Sequence, residues 1–181
     1  GSRDFAILML ASSLGIRASD ICEMTLEAIN FVKNELSFIQ KKTSVPLTLP
    51  LLPDVKEALL GYLGYRKIDS TDEPIFIQCR APYHKLTRMG IWTIMRRYVK
   101  QSGVDPGHRK RGTHALRSSL ASSMVREQVP YYAVQKILGH ESSQSTKNYV
   151  RIDIGRLREF TLPVPEAYGR FDAFLKGGET R

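Results

Sequence analysis

Residues 113–149 read THALRSSLASSMVREQVPYYAVQKILGHESSQSTKNY, and the punctuation of this stretch decides the fold. A helix runs from His114 to about Arg126. Pro130 opens a second helix, and Gly139 stops it in the way a residue free to take positive φ stops helices. Ser142 or Ser143 caps a third helix, which carries Tyr149. Three helices in succession, without a strand between them, indicate a helix-dominated domain.

Working outward, the same signals recur upstream. Residues 4–14 form an apolar helix ended by Gly15, and Ser19 caps a short helix through Met24. Residues 36–40 and 45–49 read as two strands around a turn at residues 41–44, with Pro46 marking an edge. Pro53 opens an amphipathic helix to about Arg66, with Val55, Ala58, Leu59, Tyr62 and Leu63 on one side. Residues 74–77 suggest a third short strand. Thr87 caps a helix to about Gln101 that Gly103 ends. A polar, basic loop follows over residues 105–112. Downstream of Leu162, Tyr168, Phe171, Phe174 and Leu175 recur at helical spacing. The expected class is mainly α with a small antiparallel β-sheet, an α+β domain.

The chain of 181 residues is long enough for one domain with a proper core, and 42% hydrophobic with 25% charged residues is ordinary for a globular protein. Gly1-Ser2 is set aside as the remnant that removal of an affinity tag leaves. No apolar run has the length of a membrane span, and no signal-peptide pattern opens the sequence. Cys22 and Cys79 lack metal-ligand spacing and read as buried thiols of a reducing cytosol. No glycine-rich phosphate loop is present to suggest a nucleotide fold. Net charge is +9, and it is concentrated. Between Pro74 and Arg126 eleven Arg or Lys face a single acid, Asp105. Such a segment suits a polyanion, because phosphate contacts give affinity independent of sequence.

Certain residues within this frame can carry chemistry. His114 and Arg117, at i and i+3, share a helical face. Leu138-Gly139-His140 ends a helix, and Tyr149 follows nine residues after His140. Arg17 stands at a helix entrance, in Gly15-Ile16-Arg17-Ala18-Ser19-Asp20. Lys42 lies at the hairpin tip. Two guanidinium forks can hold the oxygens of a pentacoordinate phosphorane. A tyrosine can form a covalent phosphoryl link, and a lysine ammonium can protonate a leaving alkoxide, without a metal. Each residue singly has an ordinary reading: Tyr149 in a helix face, His114 as a cap, Arg17 paired with Asp20 across a turn, Lys42 solvated. Those readings do not account for the order and spacing of the set.

The set resembles the tyrosine recombinase, or phage integrase, family, over about residues 5–151. Gly15-Ile16-Arg17-Ala18-Ser19-Asp20-Ile21 is similar to the first arginine box, with Asp20 in the supporting acidic position. Lys42, in Gln40-Lys41-Lys42-Thr43, matches the hairpin lysine, with Lys41 as a one-residue alternative. Thr113-His114-Ala115-Leu116-Arg117, Leu138-Gly139-His140 and Thr146-Lys147-Asn148-Tyr149 resemble the remaining boxes.

The resemblance implies a DNA breaking-rejoining catalytic core across residues 3–181. Residues 159–181 would be a tail whose helix docks on a neighbouring protomer or folds back on its own domain. The family's N-terminal DNA-clamp domain is expected to be absent from this sequence. Tyr149 is implied as nucleophile, Arg17, Arg117 and His140 as phosphate ligands, Lys42 as general acid, and His114 as proton acceptor or a further phosphate ligand. Lys41, Arg80, Lys85, Arg88, Arg109, Lys110 and Arg111 are candidate DNA contacts. The implied partner is a duplex recombination site bound by a homotetramer that is monomeric alone. No cofactor, metal or membrane is implied, the setting is cytoplasmic, and the context is integration or excision, preferentially of a mobile element. Two rivals are a type IB topoisomerase, with the same chemistry, and a non-catalytic helix-turn-helix regulator, suggested by residues 130–138 and the basic stretch.

Overall fold

The computed structural model describes residues 1–66, 73–105, 107 and 112–139. Helix α1 spans Ser2–Ser13, α2 Ala18–Glu23, α3 Pro53–Leu63, α4 Arg88–Gln101, α5 Thr113–Arg126 and α6 Tyr131–Leu138. Strands β1 Ile29–Asn30, β2 Glu35–Ile39 and β3 Pro46–Pro50 form one antiparallel sheet in the order β1-β2-β3. The expected class, mainly helical with a small antiparallel sheet, is the observed one.

Helix α1 sits at the centre. Ala6, Ile7, Leu10 and Ala11 are fully buried on it, and it packs against α3 and α5. Its first turn carries a buried acid, Asp4, which pairs with Arg3 at 2.6 Å and with Arg97 of α4. A carboxylate there also suits the positive end of the helix dipole. The α1 chain ends at Gly15, where φ is +64 and a Cβ would meet Leu120 and Leu138 at 3.0 Å. Only glycine allows both the left-handed backbone and the close approach of α5 and α6.

The sheet pairs Phe38 with Leu47 and Ile39 with Pro46. Along β3, Leu47 and Leu49 are buried while Pro46, Thr48 and Pro50 are exposed, the period-two alternation of a strand with one wet face. β3 is an edge, so the N–H groups its prolines lack are not missed by a neighbour. Thr87 caps α4, its Oγ1 accepting from Gly90 N–H at 3.1 Å, and Gly103 follows with φ +70.

Several expectations need correction. Ser19 does not cap α2; the helix begins earlier, with Arg17 in the cap position, and the Ser19 hydroxyl turns to Asp20 Oδ1 at 3.3 Å. Residues 74–77 form no strand. Ile75 N–H bonds to Met24 C=O, and the Phe76 carbonyl and Gln78 N–H pair with Leu86 and His84, so different neighbours take successive groups and no ladder forms. The third strand is β1 instead. α3 stops at Leu63, and the next residues close with i→i+3 bonds from Tyr65 and Arg66, a tightened last turn. Cys22 is buried as expected, but Cys79 is exposed. The expected Tyr149 helix and the last helix lie outside the described residues. Among the described residues no helix is long and apolar enough to cross a membrane.

Candidate active site

Four separated pieces of sequence meet around one carbonyl. Arg117, in the second turn of α5, is 3% exposed, and its Nη1 donates to Gly15 C=O at 2.7 Å. Its Nη2 donates to Leu138 C=O at the end of α6. The same Leu138 oxygen accepts from Gln40 Nε2 at 3.3 Å. Gln40 directly follows β2 at the hairpin, and its Oε1 accepts from Thr43 Oγ1 at 2.8 Å. The first arginine box, the hairpin, the His114–Arg117 turn and the Leu138-Gly139 stop are thereby tied to one another. A planar guanidinium can reach two carbonyls at fixed divergence where an ammonium cannot.

Gly139 shows how tight the tie is. It takes φ +58, ψ 51, and a Cβ there would fall on the Gln40 side-chain amide. Sequence reading marked Gly139 as a helix stop but missed Gln40. A signal was available: Gln40 shares the β2 face of Leu36 and Phe38, and a polar side chain on an inward face needs a partner.

Arg17 is half-buried, and its Nη1 has no hydrogen-bond partner among the described residues. Asp20, 4% exposed, does not pair with it. Asp20 Oδ1 instead accepts the Lys41 backbone N–H at 2.9 Å, so the acid anchors the hairpin tip to α2; Oδ2 is buried without a partner among the described residues. Removing water from a guanidinium N–H and leaving it unbonded is costly, so Arg17 Nη1 is a donor suited to a ligand oxygen. His114 is exposed in the first turn of α5, one turn before Arg117. It does not cap that helix, since Gly112 holds the cap position.

Lys42 is exposed and lines a cleft of about 450 Å³ together with Ser19, Lys41, Lys85 and Arg88. Glu23 stands among these cations. Its Oε1 meets Lys41 Nζ at 2.5 Å and its Oε2 meets Lys85 Nζ at 2.7 Å. These bonds, Lys41 first and then Lys85, hold the Glu23 carboxyl below the ordinary carboxylate range. Cys22 also lines the cleft; burial, and then the charge of Glu23, push its thiol up to about 11, so it is a neutral packing group and not a nucleophile at physiological pH. Of the candidate DNA contacts, Lys41, Lys85 and Arg88 therefore share one cleft with Lys42. Arg80 is exposed but is not among the residues lining it. His140, Tyr149, Arg109, Lys110 and Arg111 lie outside the described residues.

Sequence and fold comparisons place the chain among known proteins. An integrase/recombinase of Sinorhizobium fredii, y4gC, is 34% identical over 165 residues, covering 91% of this chain and 84% of that protein. Tyrosine recombinase XerA of Pyrococcus furiosus is 31% identical over 162 residues, covering 87% of this chain and 53% of that protein. Apart from y4gC, the chain thus spans about half the length or less of the first curated relatives it matches. The crystal structure of XerA recombinase superposes with a TM-score of 0.72 at 21% identity, over 92% of this chain and 60% of that one. XerH site-specific recombinase, solved bound to its palindromic difH substrate, gives 0.70 at 20% identity, over 87% of this chain and 44% of that one. Those two likenesses establish the fold. Residues 1–156 match the sequence model of the Phage integrase family. That match covers well over half of the chain, which therefore belongs to the phage integrase family.

Proposed function

We propose that residues 3–181 are the catalytic domain of a tyrosine site-specific recombinase that integrates or excises DNA, preferentially a mobile element. The phenol oxygen of Tyr149 attacks the scissile phosphorus in line, a P–O bond to Tyr149 forms, and the bond from phosphorus to the 5′-oxygen breaks. The products are a 3′-phosphotyrosine and a free 5′-hydroxyl, whose proton comes from Lys42. A 5′-hydroxyl of a partner duplex then reverses the step, and strand exchange passes through a Holliday junction. Arg17 and Arg117 neutralise the non-bridging oxygens, His140 adds a hydrogen bond, and His114 takes the tyrosine proton. Two fixed cations and a donor placed where charge develops are the kind of preorganisation that lowers such a barrier most.

One observation carries the reading: Arg117 bonds the backbone two residues from Arg17 and the backbone two residues from His140, so one side chain ties both neighbouring boxes to its own. The partner is a duplex recombination site, bound by a homotetramer through residues 159–181, in the cytoplasm. A regulator with a helix-turn-helix needs no such tie.

The test is covalent trapping. Incubated with nicked suicide duplexes of randomised sequence, the protein should give an adduct that survives a denaturing gel and disappears in Tyr149→Phe. Tight binding with no adduct in the wild type would assign the chain to the regulators instead. Relaxation of a supercoiled plasmid lacking any recombination site would favour the topoisomerase.

A further inference from the structure

Glu23 is an acid in the wrong place for every ordinary purpose. It is the last residue of α2, where the helix dipole gives a carboxylate nothing. It stands in a cleft that the basic residues Lys41, Lys42, Lys85 and Arg88 line, the part of the molecule to which a polyanion is assigned above. Its two bridges are solvent-exposed, and such pairs contribute little to folding.

Its arrangement has a different logic. Each carboxylate oxygen holds one lysine, and the two lysines come from different elements: Lys41 from the hairpin tip, Lys85 from the segment bridged to Ile77. Two lysines on the two oxygens of one anion is also how a cation pair grips the non-bridging oxygens of a phosphodiester. We infer that Glu23 is an internal stand-in for a DNA phosphate, occupying Lys41 and Lys85 in the free protein and releasing them to the DNA backbone when duplex enters the cleft. The inference rests on the DNA reading above.

Exchange is physically easy. Duplex DNA carries one charge per about 1.7 Å of axis, so its field in the cleft outweighs a single carboxylate. The side chains of Lys41, Lys85 and Glu23 remain 60%, 44% and 39% exposed, open to that competition. The depressed carboxyl of Glu23 keeps it ionised at neutral pH. The exchange also reaches the chemistry, because Lys41 precedes Lys42 on the same tip. While Glu23 holds Lys41, the tip is held by two acids of α2, Glu23 at the side chain and Asp20 at the backbone. Once the side-chain hold is released, Asp20 is the one acid of α2 still bonded to the tip, and the Lys41-Lys42 side chains gain freedom to follow the phosphate. Glu23 is thus a positioning residue that lowers affinity for DNA and delays engagement of Lys42 until DNA is present.

Anisotropy titration of this chain with a labelled duplex of roughly 30 base pairs, between about 50 and 200 mM salt, tests this. Glu23→Gln should bind about three- to tenfold more tightly than wild type, the size expected when two exposed ion pairs no longer compete. The gain should vanish when Glu23→Gln is made in a Lys41→Gln/Lys85→Gln background, because the effect acts through those lysines. Equal affinity for wild type and Glu23→Gln would overturn the inference, as would a gain that persists in that background, which would be through-space repulsion alone. Failure of every variant to bind duplex would overturn the DNA reading itself. Circular dichroism spectra recorded at the titration temperature, below every variant's melt, keep folding out of the comparison.

Discussion

Gln40 and Arg117 donate to the same carbonyl oxygen, that of Leu138, although one directly follows a strand and the other lies in a helix far along the chain. That shared acceptor fixes the hairpin to the helical half of the site. It makes the backbone at Gly15, the hairpin at Gln40 and the end of α6 at Leu138 a single mechanical unit.

Gln40→Ala should lower unfolding free energy by about 1–3 kcal/mol, since the Thr43 hydroxyl and the Leu138 carbonyl both lose a buried partner. Urea denaturation reads this. An effect within experimental error would mean the amide is replaced by water at no cost.

Gly139→Ala should be costlier in the wild type than in Gln40→Ala. Left-handed backbone for a non-glycine costs roughly 1–3 kcal/mol in both backgrounds, whereas the clash with the Gln40 amide exists only in the first. A double-mutant cycle measures the difference, and strict additivity would count against the packed contact.

Arg117→Lys should fail in two ways. One ammonium cannot span the Gly15 and Leu138 carbonyls; Leu138 keeps Gln40 as a donor, so the cost, about 1–3 kcal/mol, falls where the Gly15 carbonyl loses its side-chain partner. Adduct formation on suicide DNA should fall further than stability explains. If Lys restored full trapping activity, the guanidinium fork would not be needed.

Lys42→Met should abolish cleavage of an ordinary phosphodiester but leave most activity on a substrate whose leaving 5′-oxygen is sulfur, which departs without a proton. Lys41→Met should show no such rescue. The reverse pattern would move the acid role to Lys41.

The two thiols should differ in alkylation at pH 8. Cys79 is exposed and should react promptly, while Cys22, held neutral up to about pH 11 by burial and by Glu23, should react only after unfolding. Mass spectrometry after brief iodoacetamide treatment checks the order. The acid side has its own signature. Because the Glu23 carboxyl is held low in the folded state, the small stability it contributes is full above the ordinary glutamate range and is lost as pH falls through the lowered value. Melts of wild type and Glu23→Gln should therefore differ at neutral pH and converge in acid.

Local chemistry made much of this protein legible from sequence. Thr87 reads as a cap, Pro53 as a helix start, Pro46 as an edge and Gly139 as a stop, because each depends on one residue's own backbone or side chain. The candidate set Arg17, Lys42, His114 and Arg117 can be proposed from sequence too, through the order and spacing of its residue types. Tertiary structure decided which polar groups face each other. Nothing local says that Asp20 takes the Lys41 backbone N–H instead of Arg17, that Gln40 reaches Leu138, or that Glu23 holds Lys41 and Lys85. Hydrogen bonds and ion pairs between distant segments follow from how the helices pack on the sheet. That packing is set by the whole apolar core together, and no short window of sequence contains it.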